Sequence, residues 1–301
     1  MTKFKNVFTC FFAGFVWLFS DLSYAWNDTT YMLIAMIAEH RLDPFVKNSI
    51  AAIGTDIDNE FSASFDFVEA VCWAGDISLF GIKALDSWYE MPIPYTHNDI
   101  LSENKLSSIS YQLRNNSLCF ALNESVNTLK NPNSGSWEKN FMLRILMHCV
   151  ANIHHPLHCI NLYSPDFPNG DLGGKLFAVQ DQAKNLRNLW DAAIRDIITV
   201  FGRCHYGSYE EREELNTLIE FLLSKFPSSE MQYNEGTFED WALESYQLAI
   251  LYAYSNIQLG DIPSGDYLRD RDLIVYRQIA LAGYRLADLL NNLFRCKDCV
   301  L

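Results

Sequence analysis

Basic charge is what this chain is short of: 23 Lys and Arg stand against 37 Asp and Glu, a formal charge of −14. A surface that acidic repels polyanions on average, so any nucleic-acid site on it must bring its own positive charge, from metal ions or a confined Arg/Lys patch. The sequence also lacks an internal repeat, a low-complexity tract and any linker-like stretch that would split it. One large domain with a substantial core is therefore expected. Beyond residue 19 no apolar run reaches the eighteen or so residues of a membrane span, which leaves none expected in the rest of the chain.

The single apolar run, Val7 to Phe19, follows Lys3 and Lys5 and precedes Ser23-Tyr24-Ala25. That order of basic segment, apolar segment and small-residue exit reads as a cleavable secretory signal over residues 1–25. Cleavage there makes Trp26 the first residue of a secreted or lumenal domain, 26–301. The loss of Lys3, Lys5 and Asp21 leaves 21 basic and 36 acidic side chains, a formal charge of −15.

Cys10 leaves with the signal, and Cys72, Cys119, Cys149, Cys159, Cys204, Cys296 and Cys299 stay in a compartment that permits disulfides. Seven is odd, so at least one thiol is free or pairs between chains. Cys149, on the apolar side of a predicted helix, is the one expected free. Cys296 and Cys299 have no second Cys/His pair nearby to complete a zinc knuckle, so a disulfide role is expected for them. Three sequons, at Asn27, Asn115 and Asn123, are candidate glycosylation sites.

Apolar residues recur at helical spacing through most of the chain: Phe141, Ile145 and Cys149 beside Met142, Leu146 and Val150; then Ile219, Leu222 and Leu223; then Leu248, Leu251 and Tyr252; then Ile279 through Leu293. An all-α protein is expected. Pro92-Ile93-Pro94, residues 131–136 and residues 164–174 read as loops.

Within the predicted helix around 141–152, His148 and Asn152 lie four apart and share a face. His158 closes the string Asn152-Ile153-His154-His155-Pro156-Leu157-His158, with Pro156 ending or kinking the helix before it. A loop carrying Gly170-Asp171-Leu172-Gly173-Gly174 follows, then Asn185-Leu186-Arg187-Asn188-Leu189-Trp190-Asp191.

In order and spacing these segments resemble the S1/P1 nuclease family: secreted zinc-dependent enzymes that cleave single-stranded nucleic acid and release phosphate from 3′-nucleotides. Trp26, Cys72-Trp73-Ala74-Gly75-Asp76, Trp88 through Pro94, Trp241 through Ser245 and Leu281 through Ala287 extend the likeness over essentially the whole mature chain. The resemblance implies a single compact multi-helix domain of the phospholipase C/P1 nuclease fold. It also implies up to three zinc ions, and single-stranded nucleic acid or nucleotides as partners. By resemblance the metal ligands are Trp26, through its free amine and carbonyl, with His148, His158, Asp191 and Asp76. Metal ions in such a centre polarise the phosphate and activate a bridging water.

Four positions depart from that pattern. Tyr31 and Tyr89 stand where the family has histidine, Asn152 replaces the bridging aspartate, and Arg187 replaces the histidine of Asn-Leu-His. A phenol is a poor neutral-pH ligand, and a guanidinium has no lone pair to give. Asp76 itself falls one residue after the family's aspartate, whose place Gly75 takes. One zinc or none is expected in this chain. With Arg187 and Asp191 four apart on one helix, a guanidinium–carboxylate pair is expected where a metal would sit.

Three readings follow: a degenerate member with weak or lost phosphodiesterase activity whose Arg187 holds a phosphate or nucleotide; an active endonuclease in which Asp76, the candidate catalytic carboxylate, or Glu90 or Asp86 replaces a lost ligand; and a fold kept for glycosylated surface display.

Overall fold

The computed structural model describes residues 26–55, 66–79, 81–96, 101–196 and 209–295. The signal segment and Cys204, Cys296 and Cys299 lie outside them. Eleven α-helices are present among the described residues: α1 (Asp28–Arg41), α2 (Pro44–Thr55), α3 (Phe67–Ala70), α4 (Trp73–Leu79), α5 (Glu103–Asn115), α6 (Leu118–Lys130), α7 (Ser136–Ile153), α8 (Leu186–Asp191), α9 (Tyr209–Lys225), α10 (Phe238–Leu248) and α11 (Gly265–Phe294). Their starts carry the expected capping chemistry. The side chains of Asn27, Ser117 and Ser264 accept backbone N–H groups of the first turn, and Thr237 with Asp240 forms a capping box.

Helix α7 is the axis of the molecule. Its residues from Leu143 to Ile153 are buried on every side, so the periodic stripe of the sequence becomes a helix enclosed by others. Helix α1 is enclosed likewise from Thr29 to Ala38 and lies against α11. Gly283 permits that contact: a Cβ there would come within 2.5 Å of Ile37 Cγ2 and 3.2 Å of Ile34 O. Gly283→Ala is expected to lower stability by about 1–3 kcal/mol through overpacking, measurable by chemical denaturation.

Two expectations fail locally. Pro92-Ile93-Pro94, read as loop, contributes to strand β1 (Ile93–Thr96), which pairs in parallel with β2 (Ile160–Tyr163), Ile93 opposite Ile160. Proline suits the edge of so small a sheet, where its missing N–H costs nothing. Leu251 and Tyr252, read as part of an apolar stripe, are 61% and 36% exposed. Helix α10 widens into a π turn over Ala249–Ala253, and the extra residue in that turn rotates them out of the buried face.

Cys149 is free and buried as expected; Cys119 and Cys159, for which no such expectation stood, are free and buried too, and Cys72 is disulfide-bonded. No helix among the described residues is long and apolar enough to cross a membrane.

Candidate metal centre

The end of α7, the first turn of α1, and helix α8 bring the chemical residues together. His148 is buried, with Nδ1 3.0 Å from Val71 O. The Tyr31 ring stacks on its imidazole at 4.5 Å and the Tyr89 ring meets it edge-on at 4.9 Å. Tyr31 donates its hydroxyl to Asn152 Oδ1 at 2.5 Å and lies 3.4 Å from His148 Nε2. Asn152 Nδ2 in turn donates to Tyr89 O, and the Tyr89 hydroxyl donates to Ala74 O. Burial drives both phenols well above their ordinary pKa, so each keeps its proton and acts as a donor. Burial also pushes His148 down to about 4.

Next to this aromatic box lies a charged one. Pro156 starts a 3₁₀ turn, Pro156–His158, that turns His158 inward, where Nδ1 sits 2.7 Å from Tyr89 O. His155 Nδ1 accepts the backbone N–H of Leu157, which places the ring proton on Nε2, 2.9 Å from Asp191 Oδ1. Trp26 is fully buried behind it, with its indole donating to Ala151 O and its ring edge against His155 at 4.4 Å. Burial first, then the charge of Arg187, hold His155 and His158 far below the usual imidazole range. His155 is therefore neutral, and its contact with Asp191 is a hydrogen-bond-length approach of an uncharged ring to a carboxylate rather than an ion pair.

Arg187 is fully buried on α8, and its partner is Glu90 (Nη2 to Oε1 3.1 Å), not Asp191 as expected. His155 already stands at Asp191 Oδ1, and the guanidinium turns instead to Glu90, whose Oε1 Lys175 Nζ also reaches at 2.7 Å. Asp171 holds the loop beneath. Its carboxylate accepts the N–H groups of Leu162, Gly173 and Gly174 and the Tyr254 hydroxyl. Gly173 has φ +63°, and a Cβ there would meet Leu157 O at 2.3 Å, so the close approach of this loop to the His158 turn requires glycine.

The structure thus gathers Trp26, Tyr31, Tyr89, His148, Asn152, His158, Arg187 and Asp191 into one region. Asp76 is set differently. Gly75 faces His148, its ideal Cβ 3.6 Å from Cε1, and the next residue on α4 projects about 100° further round the helix.

The S1/P1 Nuclease family model matches residues 26–295. The chain belongs to the S1/P1 nuclease family. Endonuclease 3 of Arabidopsis thaliana is 33% identical over 162 residues, 52% of each chain. Endonuclease 4 of the same plant is 30% identical over 167 residues, 52% of this chain and 51% of that one. The matched stretch spans about half the length of these relatives.

The S1/P1 nuclease family is zinc-dependent, and the residues here fit that metal poorly. Among the described residues no three His, Cys, Asp or Glu side chains are grouped to hold an ion. Tyr31 and Tyr89 are protonated donors packed on the histidine, Asn152 is an uncharged amide whose oxygen is taken by Tyr31, and Arg187 is a cation. Lys175 and His155 were not singled out by sequence as parts of this S1/P1 nuclease site. Glu90 was, but as a metal ligand rather than a partner of Arg187.

Proposed function

We propose that this chain is an S1/P1 nuclease-family protein whose metal centre has been replaced by fixed charge and aromatic packing. Phosphodiester hydrolysis is then weak or lost, and phosphate or nucleotide binding is kept. One observation carries the reading: a fully buried guanidinium, Arg187, sits between motif residues Asn185-Leu186 and Trp190-Asp191, where the family pattern has a histidine. A permanent cation at that point repels a metal ion and attracts an anion. Entry to the secretory route through residues 1–25, with Trp26 as the new N-terminus, glycosylation of the sequons, and single-stranded nucleic acid or nucleotides as partners all belong to this proposal.

The rival reading, an active zinc endonuclease, has support of its own. His148 and His158 both hold Nδ1 against a backbone carbonyl and so present Nε2 as a lone pair, the arrangement that prepares a histidine to ligate. Metal analysis separates the two. The correctly processed protein, dialysed against metal-free buffer, is expected to hold fewer than two zinc ions per chain and to leave single-stranded DNA largely intact at mildly acidic pH. About three zinc ions per chain, with cleavage stopped by a chelator and by His158→Ala, would establish the rival.

A further inference from the structure

Glu90 stands in a telling place. Its Oε1 receives Lys175 Nζ at 2.7 Å and Arg187 Nη2 at 3.1 Å, so two cations converge on one carboxylate oxygen, as they would on an oxygen of a bound oxyanion. The cations differ in setting. Arg187 is fully buried, whereas the side chains of Lys175 and Glu90 are 33% and 28% exposed, which puts the carboxylate nearer solvent than the guanidinium.

Glu90 does not exhaust what lies behind. Arg187 Nε and Nη1 are buried donors with no hydrogen-bond partner, and His158 Nε2 is a buried acceptor with none. Leaving such groups unpaired is unfavourable, so the arrangement favours an occupant that satisfies them. That occupant must accept from Arg187 and donate to His158. A carboxylate cannot do both, because it has no hydrogen to give. A singly protonated phosphate can: its anionic oxygens take the guanidinium and Lys175, and its P–OH donates to the imidazole. His158 Nδ1 donates to Tyr89 O at 2.7 Å, which leaves Nε2 as the acceptor.

We propose that Glu90 is a tethered stand-in anion covering a phosphate site built from Arg187, Lys175 and His158, and that a phosphate group that keeps one P–OH binds by displacing it. This rests on the reading of the chain as a phosphate-binding family member, and adds a self-blocking residue to it. No covalent step is involved.

The test is equilibrium titration of the full processed protein, cleared of metal by chelator, with inorganic phosphate, a nucleoside 5′-monophosphate and the bare nucleoside. Native protein should bind phosphate weakly. Glu90→Gln should tighten phosphate at least tenfold, equivalent to about 1.4 kcal/mol, and Arg187→Met should abolish binding in either background. A nucleotide that binds tighter than phosphate while the nucleoside alone does not bind would show that a phosphomonoester is the source; equal affinities would point to free phosphate. Should Glu90→Gln fold poorly, Glu90→Asp keeps the charge but retracts it and should bind phosphate tighter than native. Phosphate affinity unchanged or weakened by both substitutions overturns the stand-in role while leaving the phosphate site standing. Absence of phosphate binding in native and variant proteins alike overturns the site and the reading beneath it, as does a nucleoside that binds as well as its phosphate.

Discussion

Between pH 7 and pH 5 the folded protein should become progressively less stable. His148, His154, His155 and His158 are all buried and neutral. Burial is the main cause in each, joined by Arg285 for His154 and by Arg187 for His155 and His158. His154 is pinned from both sides: Nδ1 lies 2.7 Å from Val150 O, and Arg285 Nη1 approaches Nε2 at 3.1 Å. An imidazole whose folded pKa is depressed takes up a proton on unfolding at any pH below its unfolded value of about 6.5. Stability is therefore complete above that pH and falls as pH falls, until the folded values are reached, about 4 for His148 and about 3 for His154. Each proton contributes a slope of about 1.4 kcal/mol per pH unit, and four approach about 5, against a total of about 5–15 for a domain. Asp171, whose carboxyl is raised by burial, opposes this by at most one proton. Denaturant melts at half-unit pH steps measure the slope, and His154→Gln should remove about one proton from it. A stability that is flat from pH 7 to 5 would mean that these rings are not neutral in the fold.

Restoring the family's ligand types should convert the site. The variant Tyr31→His/Tyr89→His/Asn152→Asp/Arg187→His is expected to hold at least two zinc ions per chain after dialysis. His148 and His158 already present Nε2, oriented by Val71 O and Tyr89 O, and the new side chains are no larger than those they replace. Its melting temperature should rise with added zinc and fall with chelator, since an ion at a thousand times its Kd adds about 4 kcal/mol. Asn152→Asp alone supplies the internal contrast. A new carboxylate would then be buried against the Tyr31 hydroxyl and the Tyr89 carbonyl with no metal to neutralise it, and should cost several kcal/mol. A quadruple variant that takes up no zinc would show that the backbone, as well as the side chains, has left the metal geometry.

The helices were legible because their apolar spacing survives burial, as Ile145, Cys149 and Leu286 show. Strand β1 was not, since its pairing comes from β2, some 67 residues on, rather than from the local Pro-Ile-Pro. Motif order brought Trp26, His148, His158 and Asp191 to one place in the reading and in the fold. The partner of Arg187 was out of reach of such reasoning. Helical spacing offers Asp191, but the competing claim of His155 on that carboxylate, and the arrival of Glu90 and Lys175 from distant segments, are tertiary facts. Gly75 and Asp76 show the same limit at one residue's scale, because a shift of one position on a helix changes which side chain faces His148.

The clasp between α1 and α11 bears on the order in which the protein can be made. Asn291 donates to Arg41 O and accepts from Asp43 N, joining segments about 250 residues apart, and ten consecutive residues of α1 are buried in the finished fold. At about 5–20 residues per second, a newly made α1 waits roughly 10–50 s before the helix that covers it leaves the ribosome. Through that interval its apolar side chains lack the surface that buries them in the finished fold.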